Sequence, residues 1–399
     1  MRVVHRTLSI VACLAFLYLG VTGSMIQILD LKELYGGAPE SSSGMQSINE
    51  GKNGHPDYAV LTPADYTAEP LPQNLDLLKA FQTVLIGLRE IRLEAKPIFV
   101  ELRSAHGTIV GQAHYGEMAS SPDRLGDGLV AVDAMTGAPA PAVSLPSPVP
   151  PHSPRETLKR WHRFWVHHDK PGVYAELLAG IALWTLIITG LTMYFRLLQQ
   201  RRRLNRKQLF WMVGGRLRGY HRAISVIAAV LLIGVAFSGT WLGFESSWHT
   251  FARPPPPTVT PELSDADVLD MAGATLNALH LAEPAVRIKV LRVRHYGGMR
   301  QGVVITDEPV TRQLVFNTAT GKEVSLTEPG YPSSGFPFGL QMHEEVKHLH
   351  SGYLFGSWAR VLDLLAGLGL IFLSISGLIM YLEMWNKRRI AGRGQFIWK

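Results

Sequence analysis

One cysteine, Cys13, stands in 399 residues. A single chain can therefore form no internal disulfide and no cysteine metal site, and within its apolar run Cys13 reads as a small core residue. Acidic residues are missing from the whole of segment 196–222, which carries Arg196, Arg201, Arg202, Arg203, Arg206, Lys207, Arg216, Arg218 and Arg222. The net charge of +7 is thus concentrated rather than spread, and a nucleic-acid partner is not expected. Charge of either sign is missing from four long stretches: Thr7–Leu29, Leu177–Phe195, Ala223–Phe244 and Leu364–Leu382. Each has roughly 20 residues, the length a helix needs to cross a hydrocarbon core about 30 Å thick.

These stretches predict a membrane bundle of four transmembrane helices. The first opens like a signal peptide, but it is long for one and matches an internal run, so a retained helix is expected. Basic residues favour the cytoplasmic side. Arg2 and Arg6, segment 196–222, and the tail with Lys387, Arg388, Arg389, Arg393 and Lys399 are therefore expected there, touching anionic headgroups. Both termini lie inside on this reading, and roughly residues 30–172 and 245–355 lie outside. The inner side keeps no room for a flavin or nucleotide domain.

The chain also says nearly the same thing twice. His5-Arg-Thr-Leu-Ser-Ile, running on to Thr22-Gly23, is echoed by His221-Arg-Ala-Ile-Ser-Val, running on to Ser238-Gly239. Leu177-Leu-Ala-Gly leads to Gly190-Leu-Thr-Met-Tyr194, and Leu364-Leu-Ala-Gly leads to Gly377-Leu-Ile-Met-Tyr381. Two spans per half give the halves one orientation, a parallel repeat about an axis along the membrane normal. Each outer segment reads as a helix followed by strands. In the first these are Leu75–Ile91, then Ile98–Arg103, Thr108–His114 and Leu129–Asp133. In the second, Ser264 caps a helix, followed by Arg287–His295, Gln301–Thr306 and Arg312–Asn317. Pro254–Pro257 reads as a stiff spacer, and 36–56 and 138–154 as linkers.

Taken in order, His5-Arg6, Trp161-His162-Arg163, His221-Arg222, Leu349-His350, the Thr/Ser-Gly helix ends and Val315-Phe-Asn-Thr-Ala-Thr-Gly-Lys-Glu closely resemble the PepSY-associated transmembrane family. Each motif is weak alone; their order and duplication carry the likeness, which covers essentially the whole chain. The resemblance implies an α-helical membrane bundle with two small α+β PepSY-like extracytoplasmic domains. The expected divisions are helix 1 at 1–29, a first PepSY-like domain at 30–160, an interfacial segment with helix 2 at 161–196, and a basic loop at 197–217. Helix 3 follows at 218–244, a second PepSY domain at 245–345, an interfacial segment with helix 4 at 346–386, and the tail at 387–399. The resemblance further implies a bacterial inner-membrane reductase of ferric siderophores holding two b-type haems, with the PepSY domains in the periplasm.

Histidines recur at matching places, His5 with His221 and His162 with His350. Two neutral imidazoles facing each other across a bundle are the ligand set of a six-coordinate haem. Arg6 and Arg222 are placed to neutralise propionates, although plain anchoring at the cytoplasmic side explains them equally well. Continuous helices would lift His162 and His350 about 20 Å above their apolar runs, so these segments must fold back. The Asp169-Lys-Pro-Gly172 break, Gly352 and Gly356 allow it, and His167, His168, His343 and His348 are alternative ligands. Glu176 and Asp363, at equivalent helix ends, read as dipole partners rather than proton relays. The expected activity is electron transfer across the membrane to an outer acceptor. The donor would be quinol or a separate reductase, and monomer and homodimer both stay open. Two rivals differ in class: a PepSY binding or regulatory module without redox chemistry, and a small transporter.

Overall fold

In the computed structural model the described residues run from 1 to 397, apart from 41, 46, 49–62, 94, 106, 116–127, 144–152, 165–171, 207, 253–260, 297–298, 310 and 325–335. His167, His168, Asp169–Pro171, the Pro254–Pro257 run and much of both linkers lie outside them. Four helices among the described residues are long and apolar enough to cross a membrane: α1 (Arg2–Tyr35), α5 (Gly172–Arg203), α6 (Arg216–Ala252) and α9 (Ala359–Ile390). Large apolar residues such as Val11, Leu14, Ile188, Val230 and Leu365 stay half or more exposed on the outside of this bundle. A helix apolar all round, with its outer face uncovered, belongs in lipid rather than water. The chain is a membrane protein.

Inside the bundle Phe16, Leu183, Ile187, Leu232, Ala236, Ala366 and Leu370 form a packed apolar layer. Lipid offers no hydrophobic drive between helices, so close contact rests on small residues. α1 meets α9 where a Cβ on Gly20 would lie 3.2 Å from the Gly367 carbonyl. α5 meets α6 where a Cβ on Gly180 would strike Thr240.

Between the spanning helices lie α2 (Pro63–Thr67), α3 (Leu77–Ile91), α4 (Pro154–His162), α7 (Asp265–Ala282) and α8 (Gly339–His350). Asp76 caps α3 by accepting from the Lys79 amide at 3.0 Å. Ser264 and Asp267 close a reciprocal capping box on α7. The strands are β1 (Phe99–Ala105), β2 (Thr108–His114), β3 (Leu129–Asp133), β4 (Ile288–Tyr296), β5 (Met299–Thr306), β6 (Gln313–Asn317) and β7 (Lys322–Glu323).

All seven join one antiparallel sheet in the order β3-β2-β1-β4-β5-β6-β7. Strands from the two halves meet at β1 and β4, with Glu101 opposite Arg292 and Leu102 opposite Leu291. One face of this sheet carries α3 and α7 on a shared core that includes Phe81, Val84, Val100, Leu102, Met271, Leu291, Val293 and Phe316. Alternation along the strands turns Glu101, Arg103 and Arg292 to the opposite face. There Arg103 donates to Glu101 at 2.8 Å and to Asp65 at 2.6 Å. Arg292 donates to Glu101 at 2.6 Å, and Gln112 completes the Glu101 carboxylate at 2.5 Å. Burial pushes the Glu101 carboxyl up, but Arg103 and Arg292 outweigh it and hold the group down at about 2.

Candidate functional site: two histidine pairs

His5 stands in the first turns of α1 and His221 in those of α6, so both imidazoles enter the same end of the bundle. They line one cavity of about 800 Å³ enclosed by α1, α5, α6 and α9. Its depth is apolar, with Phe16, Leu183, Leu232 and Leu370, whereas Arg2, Arg6, Arg196, Arg218 and Arg222 ring the other end. No aspartate or glutamate is among the described residues that line it. The cavity therefore suits a flat apolar body with an anionic edge.

Each histidine is seated on a helix other than its own. His5 Nδ1 is 2.8 Å from Thr189 Oγ1 on α5, and a Cβ on the next residue, Gly190, would sit 3.2 Å from the ring. His221 Nδ1 is 2.7 Å from Ser376 Oγ on α9, with Gly377 beside it.

Eighteen positions further along α1, about 27 Å at the helical rise, Thr22-Gly23 receives His162 from α4. His162 Nδ1 lies 2.9 Å from Thr22 Oγ1, and His350 Nδ1, at the end of α8, lies 2.9 Å from Ser238 Oγ on α6. The two rings then face each other with centres 6.3 Å apart.

Both short helices are therefore folded back against the bundle, and specific contacts hold them there. Asp30, buried on α1, takes Arg155 of α4 at 2.5 Å and also pairs with Arg360 of α9. On the other side Glu245, buried on α6, takes His343 of α8 at 2.9 Å, and the His343 ring stacks on Phe336. After α8 the chain reverses at Gly352 (φ 70°), a left-handed position that a side chain would strain. After α4, Phe164 is itself left-handed (φ 49°) and stacks on Tyr18, whose hydroxyl donates to the Trp161 carbonyl at 2.6 Å.

The remaining sequence candidates fall in different places. His343 is occupied by Glu245, and His348 packs against the ring of Tyr353. Arg222 forms part of the cavity wall, but its Nη2 donates to the carbonyls of Trp211 and Val213 and holds the basic loop. Arg6 also lines the cavity, as does Cys13, whose thiol donates to the Ile10 carbonyl. Glu176 lies 3.9 Å from Arg163. Among the described residues no three His, Cys, Asp or Glu side chains gather as a metal cluster. Sequence reasoning did not foresee the hydroxyl partners, Thr22, Thr189, Ser238 and Ser376. Their one signal was a Ser/Thr-Gly pair recurring within each spanning helix.

A family model described as PepSY-associated TM region matches residues 2–383. No curated protein matches the chain.

Proposed function

The chain belongs to the PepSY-associated transmembrane family, and from that premise and the two histidine pairs we propose a haem-containing membrane oxidoreductase. It would pass electrons across a bacterial inner membrane to an extracytoplasmic acceptor, a ferric siderophore, for iron acquisition. Two b-type haems are assigned, one to His5 and His221, the other to His162 and His350. The basic segments support a cytoplasmic position for both termini. The two halves are then repeats about an axis along the membrane normal, and their PepSY-like units share the outer sheet.

The observation that carries this reading is the approach of His162 and His350. Two imidazoles that would hold one haem iron must bring their rings close to a common point. The rings stand at 6.3 Å. The His5 and His221 cavity supports it separately, since its apolar depth and arginine rim match a macrocycle with propionates. Arg6 and Arg222 both line the cavity as candidate partners for them, and Arg222 also donates through Nη2 to the loop carbonyls.

When bound, a haem supplies one-electron chemistry at a potential set by ligands, burial and nearby charge. The chain's own residues do the rest. The histidines offer neutral nitrogen ligands, the apolar layer around Phe16, Leu183 and Leu370 keeps water out between the two ends, and the arginines hold anionic groups at the rim. Iron held by hard oxygen donors is bound less tightly after reduction, because the lower charge weakens each metal–oxygen attraction. The proposed donor is quinol or a separate reductase.

The test is the optical spectrum of the full chain purified from cells supplied with haem precursor. The expected result is a Soret band that shifts on dithionite reduction and returns when a ferric hydroxamate chelate is added. A purified, folded protein without Soret absorbance would sink the proposal.

A further inference from the structure

Each of the four paired histidines meets the same local arrangement, a hydroxyl followed by a glycine on a neighbouring helix. The hydroxyls are not free to choose their role. Thr189 Oγ1 lies 2.6 Å from the carbonyl of Thr185 and 2.8 Å from His5 Nδ1. Ser376 Oγ lies 2.6 Å from the Phe372 carbonyl and 2.7 Å from His221 Nδ1. Thr22 and Ser238 each stand 2.8 Å from the carbonyl one turn back, at Tyr18 and Gly234, and 2.9 Å from His162 and His350 respectively.

A carbonyl can only accept, and a hydroxyl has one hydrogen to give. At all four positions the carbonyl is the nearer neighbour, so the hydroxyl donates along its own helix and accepts from the imidazole. The proton of each neutral ring then sits on Nδ1, and the lone pair is left on Nε2. The glycine that follows removes the Cβ that would press on Cε1, at 3.2 Å for Gly23 and Gly190 and 3.3 Å for Gly239.

We infer that Thr22, Thr189, Ser238 and Ser376 are positioning residues that fix the Nδ1–H tautomer of the paired histidines and present Nε2 as the ligand nitrogen. A hydroxyl is a neutral acceptor, so unlike a carboxylate it orients the ring without drawing it toward imidazolate. The inference rests on the haem reading for its purpose, but its structural content concerns the histidines alone.

The experiment follows ¹⁵N-labelled histidine in the full chain, with haem and after its extraction, in wild type and in Thr22→Val, Thr22→Ser, Thr189→Val and Thr189→Ser. Valine keeps the threonine shape and deletes the acceptor. After haem extraction Thr22→Val and Thr189→Val are expected to move His162 and His5, respectively, toward the Nε2–H form, and in the loaded protein to weaken haem retention about 10- to 100-fold. The serine variants restore both. Wild-type rings carrying the proton on Nε2, or valine variants with unchanged tautomers, overturn the inference. A protein that holds no haem but still shows the valine-dependent tautomer change refutes the haem reading and leaves the positioning role standing. Thermal unfolding of each variant separates a misfolded protein from a displaced ring, and the second site decides where one variant fails to fold.

Discussion

The rings of His162 and His350 face each other at 6.3 Å although they come from different halves of the chain and neither belongs to a spanning helix. Each is delivered by a short helix folded back on the bundle, and each is gripped at Nδ1 by a different span. If they share one haem, removing either removes the fifth or sixth ligand of that haem alone. His162→Ala and His350→Ala should therefore each lose ~half of the bound haem while the other site keeps its spectrum. Haem-to-protein ratio by pyridine haemochrome checks this, and full retention in both variants would contradict the assignment.

The glycines beside the hydroxyls differ in how tightly they approach the rings, which yields a graded expectation. A Cβ would lie 3.2 Å from His162 at Gly23 and 3.3 Å from His350 at Gly239, but 3.8 Å from His221 at Gly377. The first two distances demand that the ring move, whereas the third is ordinary contact. Gly23→Ala and Gly239→Ala should perturb the spectrum of their site, and Gly377→Ala should leave the spectrum near wild type. Equal perturbation by all three would show that general helix crowding is responsible.

The charged cluster under the sheet gives a prediction in stability. Arg292 and Arg103 are buried with Glu101 and Asp65 in one ion network. Removing one member of a buried ion network leaves an uncompensated charge, which costs about 3–5 kcal/mol. Arg292→Met should lower the melting temperature of the extramembrane unit, and near-neutral behaviour would mean the cluster is solvated in solution.

The same cluster sets an acid sensitivity whose sign can be worked out. Glu101 is held down at about 2 when folded, below its ordinary 4.5. A depressed carboxyl contributes stability above its unfolded value and loses it as pH falls through the folded one. Wild type should thus lose stability between about pH 4.5 and 2 more steeply than Glu101→Gln, which has no proton to gain. Parallel acid-unfolding curves would rule this out.

How much of this could be read beforehand depended on whether the determinant was local. The four spans follow from uninterrupted apolar length, and β2 and β3 match their expected bounds because a short strand-like run closed by turn residues is a local signal. The pairing of β1 with β4 was not legible. It joins strands from opposite halves, and burying Glu101 and Arg103 makes β1 buried on both faces, so its pattern does not point to a partner. The histidine pairs were legible because duplication repeats them. Their hydroxyl seats were not, since which serine or threonine meets which ring is set by the vertical register of packed helices. Ser376 and His221 are neighbours only through that register.

Register at the sheet end of α1 depends on Asp30, and this leads to a last prediction. Asp30 is fully buried; Arg155 of α4 donates to both of its carboxylate oxygens and Arg360 of α9 to one of them. Arg155 continues to the Ser47 carbonyl at 2.8 Å, so the start of α4 is tied to α1 through one side chain. His162 lies at the far end of that short helix, two turns away, and its ring reaches Thr22 only while α4 lies along the bundle. Asp30→Ala would leave the buried Arg360 and the partly buried Arg155 facing each other with Asp363 alone to offset Arg360, at a cost of about 3–5 kcal/mol. The cheaper outcome for the chain is to release α4, because α9 is a spanning helix and cannot leave. The variant should therefore lose the haem of the His162 and His350 site and retain that of the His5 and His221 site, which lies at the opposite end. Replacing Arg155 by Met should reproduce the loss from the α4 side, while keeping the Asp30–Arg360 pair. Redox titration resolving two components in wild type and one in each variant checks this, and two intact components in Asp30→Ala would show that α4 is held by other contacts.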